Sequence, residues 1–264
     1  MNFIKNIVTK SLSFKVLIPS ASRVILAYHD VSTANSPHFS EHYSTEIERF
    51  REQIEFLQSN FEMVSLDEIV TKPKGNKRMV AVTFDDGFLS VKEEISDYLF
   101  EKGIPFAVFV NSTAIKENFL PYDLYPEIAV HHKAQVFLNV DDVKYLYNKG
   151  VTIGSHSSNH QCFANCDESA LAVEIGGNKV FIEDLLGTKV EHLAIPYGKK
   201  EHFNKTALEY GWSVGHKYIY ATNPVYFSEP FPEYSLIPRI GITNQTAEEL
   251  CFLINRPLVK KIDI

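Results

Sequence analysis

From Met79 to Phe84 the chain runs through an almost unbroken series of β-branched and aromatic residues, with no alternation of apolar and polar positions. A strand of that kind is buried on both faces, as in a parallel sheet covered by helices. Comparable runs recur at Arg23–Tyr28, Pro105–Val110, Val151–Ser155, His192–Ile195 and Leu236–Ile240, with a shorter strand expected at Trp212–Gly215. Between them lie segments with helical signals. Ser44–Asn60 is opened by a Thr45-to-Glu48 capping box, and Ser65 to Glu68 begins a shorter helix. Val91–Lys102 closes at Gly103, Asp141–Lys149 follows, Glu168–Leu186 ends at Gly187, His202–Tyr210 is capped by Gly211, and Thr246 to Glu249 caps a last helix. Gly176-Gly177 costs about 1 kcal/mol per residue relative to Ala in a helix, so a break or close packing is expected there. Strands and helices alternate without linker, repeat or low-complexity segment. A chain of 264 residues with this alternation is expected to form a single distorted (β/α) barrel of about seven strands, residues 23–264, preceded by an N-terminal extension, residues 1–22.

Several strand ends carry chemistry. Asp85 and Asp86 stand side by side where the Met79–Phe84 strand stops, followed by Gly87. Consecutive strand residues face opposite ways, so the two carboxylates can do different work once the glycine turns the backbone. Plain turn chemistry would also produce Asp-Asp-Gly. A second stretch, Ser155-His156-Ser157-Ser158-Asn159-His160, follows the Val151–Ser155 strand. Two imidazoles at this spacing can meet one ion, and with a carboxylate they make a two-His, one-carboxylate set with positions left open. His29 ends the first strand, where a satisfied core histidine is the competing reading.

These stretches resemble the polysaccharide deacetylase family, the nodulation-deacetylase-like carbohydrate esterases of family 4. The likeness rests on Thr83-Phe84-Asp85-Asp86-Gly87, on His156-Ser157-Ser158-Asn159-His160 and on Ala194-Ile195-Pro196-Tyr197-Gly198, and runs from about Val24 to about Ile242. The Tyr28-His29 pair is similar to the poly-N-acetylglucosamine deacetylase-like subgroup. The resemblance implies a TIM-like barrel hydrolase that removes the N-acetyl group from an acetamido sugar in a polysaccharide or glycoconjugate precursor. It implies that Asp86, His156 and His160 bind a divalent metal, zinc or else cobalt, nickel or manganese, that Asp85 is the general base, and that the Tyr197 backbone N–H faces the oxyanion. Two departures stand out. Ala194 occupies the place where relatives often carry an arginine that steers the base; Arg239 at the end of the last strand could substitute for it, with a structural salt bridge as the competing reading. No histidine lies between Leu236 and Asn244, where relatives often keep a general acid, so His29 is the first candidate for that role, His216 the second and Asp85 returning its own proton the third.

Composition narrows the partners. A net charge of -7 with well-mixed charges argues against nucleic acid and, weakly, against an acidic polymer; the N-acetylated sugar or oligosaccharide partner is what the resemblance implies. The three cysteines, Cys162, Cys166 and Cys251, cannot all pair, which fits a reducing compartment; a Cys/His zinc site near His160 competes with ordinary packing and is the lesser reading. Lys5, Lys10 and Lys15 interrupt the apolar runs at the N-terminus, so neither a secretory signal nor a transmembrane span is expected and a cytoplasmic location is. Phe3, Ile4, Ile7, Val8 and Leu12 recur at helical spacing, which would allow contact with the inner membrane face, although a helix packed on the barrel or a frayed end is preferred. The aromatic-rich connection from Ser112 to Asn139 is expected to wall part of a substrate groove, with a satellite hydrophobic cluster as the competing reading, and its His131-His132 to be solvated. The rival activities are a cyclic amide or ureide hydrolase on a similar barrel, a catalytically inactive carbohydrate-binding relative, and an iron oxygenase sharing the ligand set.

Overall fold

A computed structural model describes residues 15–36, 39–119, 135–223 and 227–256. Seven parallel strands close into a ring: β1 (Arg23–Tyr28), β5 (Met79–Phe84), β6 (Phe106–Val110), β7 (Thr152–Ser155), β8 (His192–Ala194), β9 (Tyr218–Thr222) and β10 (Ser235–Gly241), with β10 pairing back onto β1. The distorted barrel expected from the alternating runs is therefore the fold. A two-residue strand, β4 (Glu62–Met63), pairs with the start of β5, and β2 (Asp30–Ser32) pairs with β3 (Ser44–Glu46) outside the barrel.

Side-chain alternation sorts each strand into two cores. Val24, Leu26, Val80, Val82, Phe106 and Val108 face outward and pack with Phe50, Ile54 and Leu57 of helix α1 (Ile47–Asn60) and with the later helices. Ile25, Met79, Ala81, Ala107, Phe109, Ala194, Tyr218, Tyr220 and Ile237 fill the inside. The small Ala81, Ala107 and Ala194 make room for the large Phe109 and Tyr220. At Gly154 a Cβ would lie 2.4 Å from the Phe109 ring, so only glycine lets β7 pass it. The N-terminal end of the barrel is plugged by α2 (Leu66–Thr71), whose capping box between Ser65 and Glu68 is formed as expected. Buried Arg23 fixes this plug by donating to the carbonyls of Ile69 and Lys72 at 2.8 and 2.6 Å.

Several boundaries differ from the sequence reading. Ser44–Glu46 is strand rather than helix, because Thr45 Oγ1 donates to the Thr243 carbonyl at 3.0 Å instead of capping, and Glu46 begins α1 without a side-chain cap. The helix after β5 starts with a wide π turn, Val91–Ile95, before α3 (Ser96–Glu101). After β6 comes α4 (Ser112–Glu117), and α5 (Val140–Asn148) precedes β7. The long helix breaks where the two glycines stand: α6 (Glu168–Leu171), a π segment (Ala172–Gly177), then α7 (Asn178–Leu186). Gly176 is also packed closely, with a Cβ position only 3.0 Å from Tyr210 Oη.

Helix α8 runs over Lys205–Ser213, capped by Asn204, so Gly211 lies inside it against Ile219 and Leu193. Trp212–Gly215 is accordingly not a strand; the missing barrel strand is β9, Tyr218–Thr222. The last helix, α9 (Ala247–Asn255), has the expected Thr246/Glu249 box. Of the extension, Val16 and Ile18 are buried against the outer core. The apolar segment from Phe3 to Leu12 and His131-His132 lie outside the described residues, as does most of the aromatic connection. No helix among the described residues is long and apolar enough to cross a membrane.

His216 sits fully buried just before β9, at the opposite end of the barrel from the carboxyl ends of the strands. Burial holds its imidazole well below its ordinary 6.5, with Lys179 and His192 acting the same way. The unfolded chain takes up a proton near pH 6.5 that the folded protein refuses, so the stabilisation is present above that pH and is lost as pH falls. Replacing it, His216→Asn, should remove up to about 2 kcal/mol of the stability loss between pH 7 and pH 5 in denaturant titrations. An unchanged pH slope would contradict this.

Candidate active site

The register of the ring brings the functional strand ends to one level. Tyr28 pairs with Phe84 and Val110 with Ser155, so His29, Asp85, Asn111 and His156 follow side by side at the carboxyl end. Three of the loops that leave these ends turn through left-handed backbone: Asp86 at φ 68°, Ser157 and His160 at 72° and 57°, and Tyr197 at 62°. The turn after β5 thus begins on Asp86 itself, one residue before the glycine. Left-handed non-glycine residues collect at sites where the surroundings over-determine the backbone. After β8, Gly198 accepts from Thr222 N at 2.7 Å, and a Cβ there would fall 2.2 Å from Thr222 Oγ1, which fixes the Pro196-Tyr197-Gly198 turn against β9.

The structure brings Asp86, His156 and His160 together. Asp86 Oδ1 lies 3.4 Å from His156 Nε2 and 3.3 Å from His160 Nε2, and all three residues are buried. His156 Nδ1 is 2.9 Å from the Ala194 carbonyl. A carbonyl only accepts, so Nδ1 carries the hydrogen and Nε2 presents its lone pair. Burial pushes the His156 imidazole down to about 4 and the His160 imidazole down to about 3, the latter helped by His29, so both rings are neutral near pH 7. The His156 Nε2 lone pair, aimed at a carboxylate oxygen, is repelled by it unless a cation lies between them. Donors about 2.1 Å from an ion in tetrahedral array stand about 3.4 Å apart, so the separations seen here fit a bound divalent metal. Among the described residues this is the one cluster of three such side chains close enough to share an ion.

Asp85 continues the inward alternation of Met79, Ala81 and Thr83. Arg239 reaches it from the inside of β10, Nη1 to Oδ1 and Nη2 to Oδ2, both at 2.7 Å, while Nη1 also donates to Thr83 Oγ1 at 3.0 Å. The guanidinium passes over the Phe109 and Tyr220 rings at 5.1 and 5.8 Å. Burial alone would raise the Asp85 carboxyl, but Arg239, with His156 and His29, more than offsets this and holds it well below the usual carboxylate range. Asp85 is therefore an ionised carboxylate near pH 7, held in a fixed plane. Arg239, coming from β10, is thus the cation paired with Asp85.

His29 shares the inward parity of Ile25 and Ala27 and is partly buried beside Asp85 and His160. His216, by contrast, is at the far end of the barrel and cannot reach the site. Tyr197 is 43% exposed, its ring 4.8 Å from that of His160 and 5.0 Å from that of His202. Cys162 and Cys166 are free and stand outside the ligand cluster, Cys162 Sγ donating to the His202 carbonyl at 3.5 Å. Sequence reasoning missed Thr83, Asn111 and Asn178. Asn111 Nδ2 donates to the His156 and Ser157 carbonyls, and Asn178 Nδ2 bridges the Val110 carbonyl and Ser155 Oγ at 2.9 and 2.8 Å. Asn111 could have been found as the polar residue ending an apolar strand; Asn178 carries no such signal.

No curated protein matches the chain in sequence. Among solved structures, the deacetylase PplD of Streptococcus pyogenes, in complex with acetate, is 17% identical with a TM-score of 0.71, over 89% of this chain and 99% of that one. IcaB from Ammonifex degensii is 18% identical with a TM-score of 0.69, over 90% and 98%. A de-N-acetylase from Aggregatibacter actinomycetemcomitans is 17% identical with a TM-score of 0.68, over 88% and 99%. At such identities the likeness speaks for the fold. The polysaccharide deacetylase model matches residues 72–219, more than half of the 264, a span that holds both aspartates, both histidines and the Pro-Tyr-Gly turn. The chain thus belongs to the polysaccharide deacetylase family.

Proposed function

We propose that the protein is a metal-dependent N-deacetylase that hydrolyses the acetamido group of a sugar in a polysaccharide or glycoconjugate precursor, releasing acetate and a free amine. The observation that carries this reading is the pairing of two distinct acids in one buried site: Asp86 with two neutral imidazoles, and Asp85 locked on Arg239. Its structural neighbours include proteins described as a deacetylase bound to acetate and as a de-N-acetylase, which agrees with it.

Asp86, His156 and His160 would hold the cation, most simply zinc. Such an ion supplies Lewis-acid polarisation of a carbonyl and acidifies water. The protein's own groups do the rest. The Asp85 carboxylate, oriented by Arg239, takes a proton from the attacking water. The Tyr197 backbone N–H, in the left-handed turn after β8, would donate to the oxygen that gains charge as the carbonyl becomes tetrahedral. When the C–N bond breaks, the nitrogen needs a proton, and His29, near Asp85, would give it. The half-exposed Tyr197 ring offers a sugar an apolar face at the mouth of the site.

The test is acetate release from N-acetylglucosamine oligomers by protein stripped with a chelator and then reloaded. The reading expects activity to vanish on stripping and return with zinc or cobalt. Equal turnover before and after stripping would defeat it.

A further inference from the structure

The loop that carries both histidines is held from behind by one buried acid. Glu174, 2% exposed, lies in the π segment Ala172–Gly177. Its carboxylate accepts from the Asn159 backbone N at 2.9 Å through Oε2 and from Asn159 Nδ2 at 2.7 Å through Oε1. The same wide turn presents its backbone to the neighbouring residue: Ser158 N donates to the Glu174 carbonyl at 2.9 Å and Ser158 Oγ to the Val173 carbonyl at 2.8 Å. From the other side Thr113 Oγ1 donates to Asn159 Oδ1 at 2.7 Å. π segments inside α-helices recur at functional sites, and here the departure from α geometry sits where the helix meets the loop.

We infer that Glu174, acting through Asn159, is a positioning residue for the metal site: it sets the left-handed turn at His160 and adds a buried negative charge behind the ligands. This rests on the metal reading above. Asn159 immediately precedes His160, and the Glu174 carboxylate grips both its side chain and its backbone N–H, so the direction of each hydrogen bond matters. Both donors come from Asn159 and both acceptors from Glu174. Partners that orient ligands from the second layer typically alter metal affinity by 10–100-fold when changed.

The substitution Glu174→Gln keeps the shape but puts an NH2 against one of the two Asn159 donors. Zinc affinity of the full chain, measured by competition with a chromophoric chelator, should fall by about 10–100-fold. The double variant E174Q/N159D reverses the polarity of the side-chain bond and conserves net charge. Its new carboxylate, on the loop, can accept both from the new amide on the π segment and from Thr113, so the double variant should recover most of the affinity. Denaturant unfolding of the metal-free proteins separates the roles: a bond that only supports the fold would lower stability in E174Q without lowering the zinc affinity of the folded protein. If E174Q binds zinc as tightly as wild type, or if the double variant binds no better than the single one, the inference is wrong while the metal site stands. If wild type itself takes up no zinc, both the inference and the reading beneath it fall.

Discussion

Changing Asp85→Asn is expected to lower kcat by between a hundredfold and ten-thousandfold while leaving the metal content at the wild-type level. The range is that of removing a positioned general base. The two acids diverge because of where the strand ends: Asp85 keeps the inward parity of β5 and meets Arg239, whereas Asp86, already at φ 68°, swings to the histidines. An Asn at position 85 keeps the shape and one acceptor but cannot take a proton, and its NH2 faces one arm of the guanidinium. The measurement is steady-state acetate release beside metal analysis of the same preparation. Activity above a tenth of wild type would remove Asp85 from the base role.

Loss of the guanidinium should be felt first in stability. In Arg239→Ala the buried Asp85 charge loses its partner, a change that typically costs about 3–5 kcal/mol. The pH dependence gives the sign. In wild type the Asp85 carboxyl is held low, so its contribution is present above the ordinary carboxylate range and is lost only as pH falls through the depressed value. Without Arg239, burial becomes the leading influence and raises the carboxyl. The variant should then gain stability relative to wild type on going from pH 7 to pH 5, because the neutral acid no longer resists burial. Arg239→Lys, which keeps the charge but not the two parallel bonds, should fall between. Denaturant unfolding at both pH values checks this; a loss under about 1 kcal/mol at pH 7 would mean that the pair contributes little.

How much of this could be read from residues alone follows the range of the signal. The barrel was legible because a doubly buried strand such as Met79–Phe84 has few other homes, and the ligand cluster because Asp86, His156 and His160 sit in short motifs at strand ends. Parity within a strand also points Ile25, Ala27 and His29 the same way, which puts His29 on the inner side just past the end of β1. Boundaries failed where a side chain had a better distant partner: Thr45 bonds to Thr243 across the chain and so does not cap its helix. β9 was missed because Gly211 reads as a helix stop, yet it is a packing glycine inside α8, against Ile219 and Leu193. The Arg239–Asp85 pair joins residues 154 apart in sequence and was reachable only through the family resemblance, whereas the Glu174 grip on Asn159 depends on a π turn that only the two glycines hint at. Contacts of that kind become visible only when the ring closes.

Whether the two-histidine, one-aspartate cluster holds a divalent metal is decided by the metal content of the purified, zinc-equilibrated protein, wild type beside Asp86→Ala and His160→Ala. About one metal per chain in wild type, lost in both variants while each remains folded, is the predicted result. No metal in wild type, or the same content in all three proteins, would contradict it.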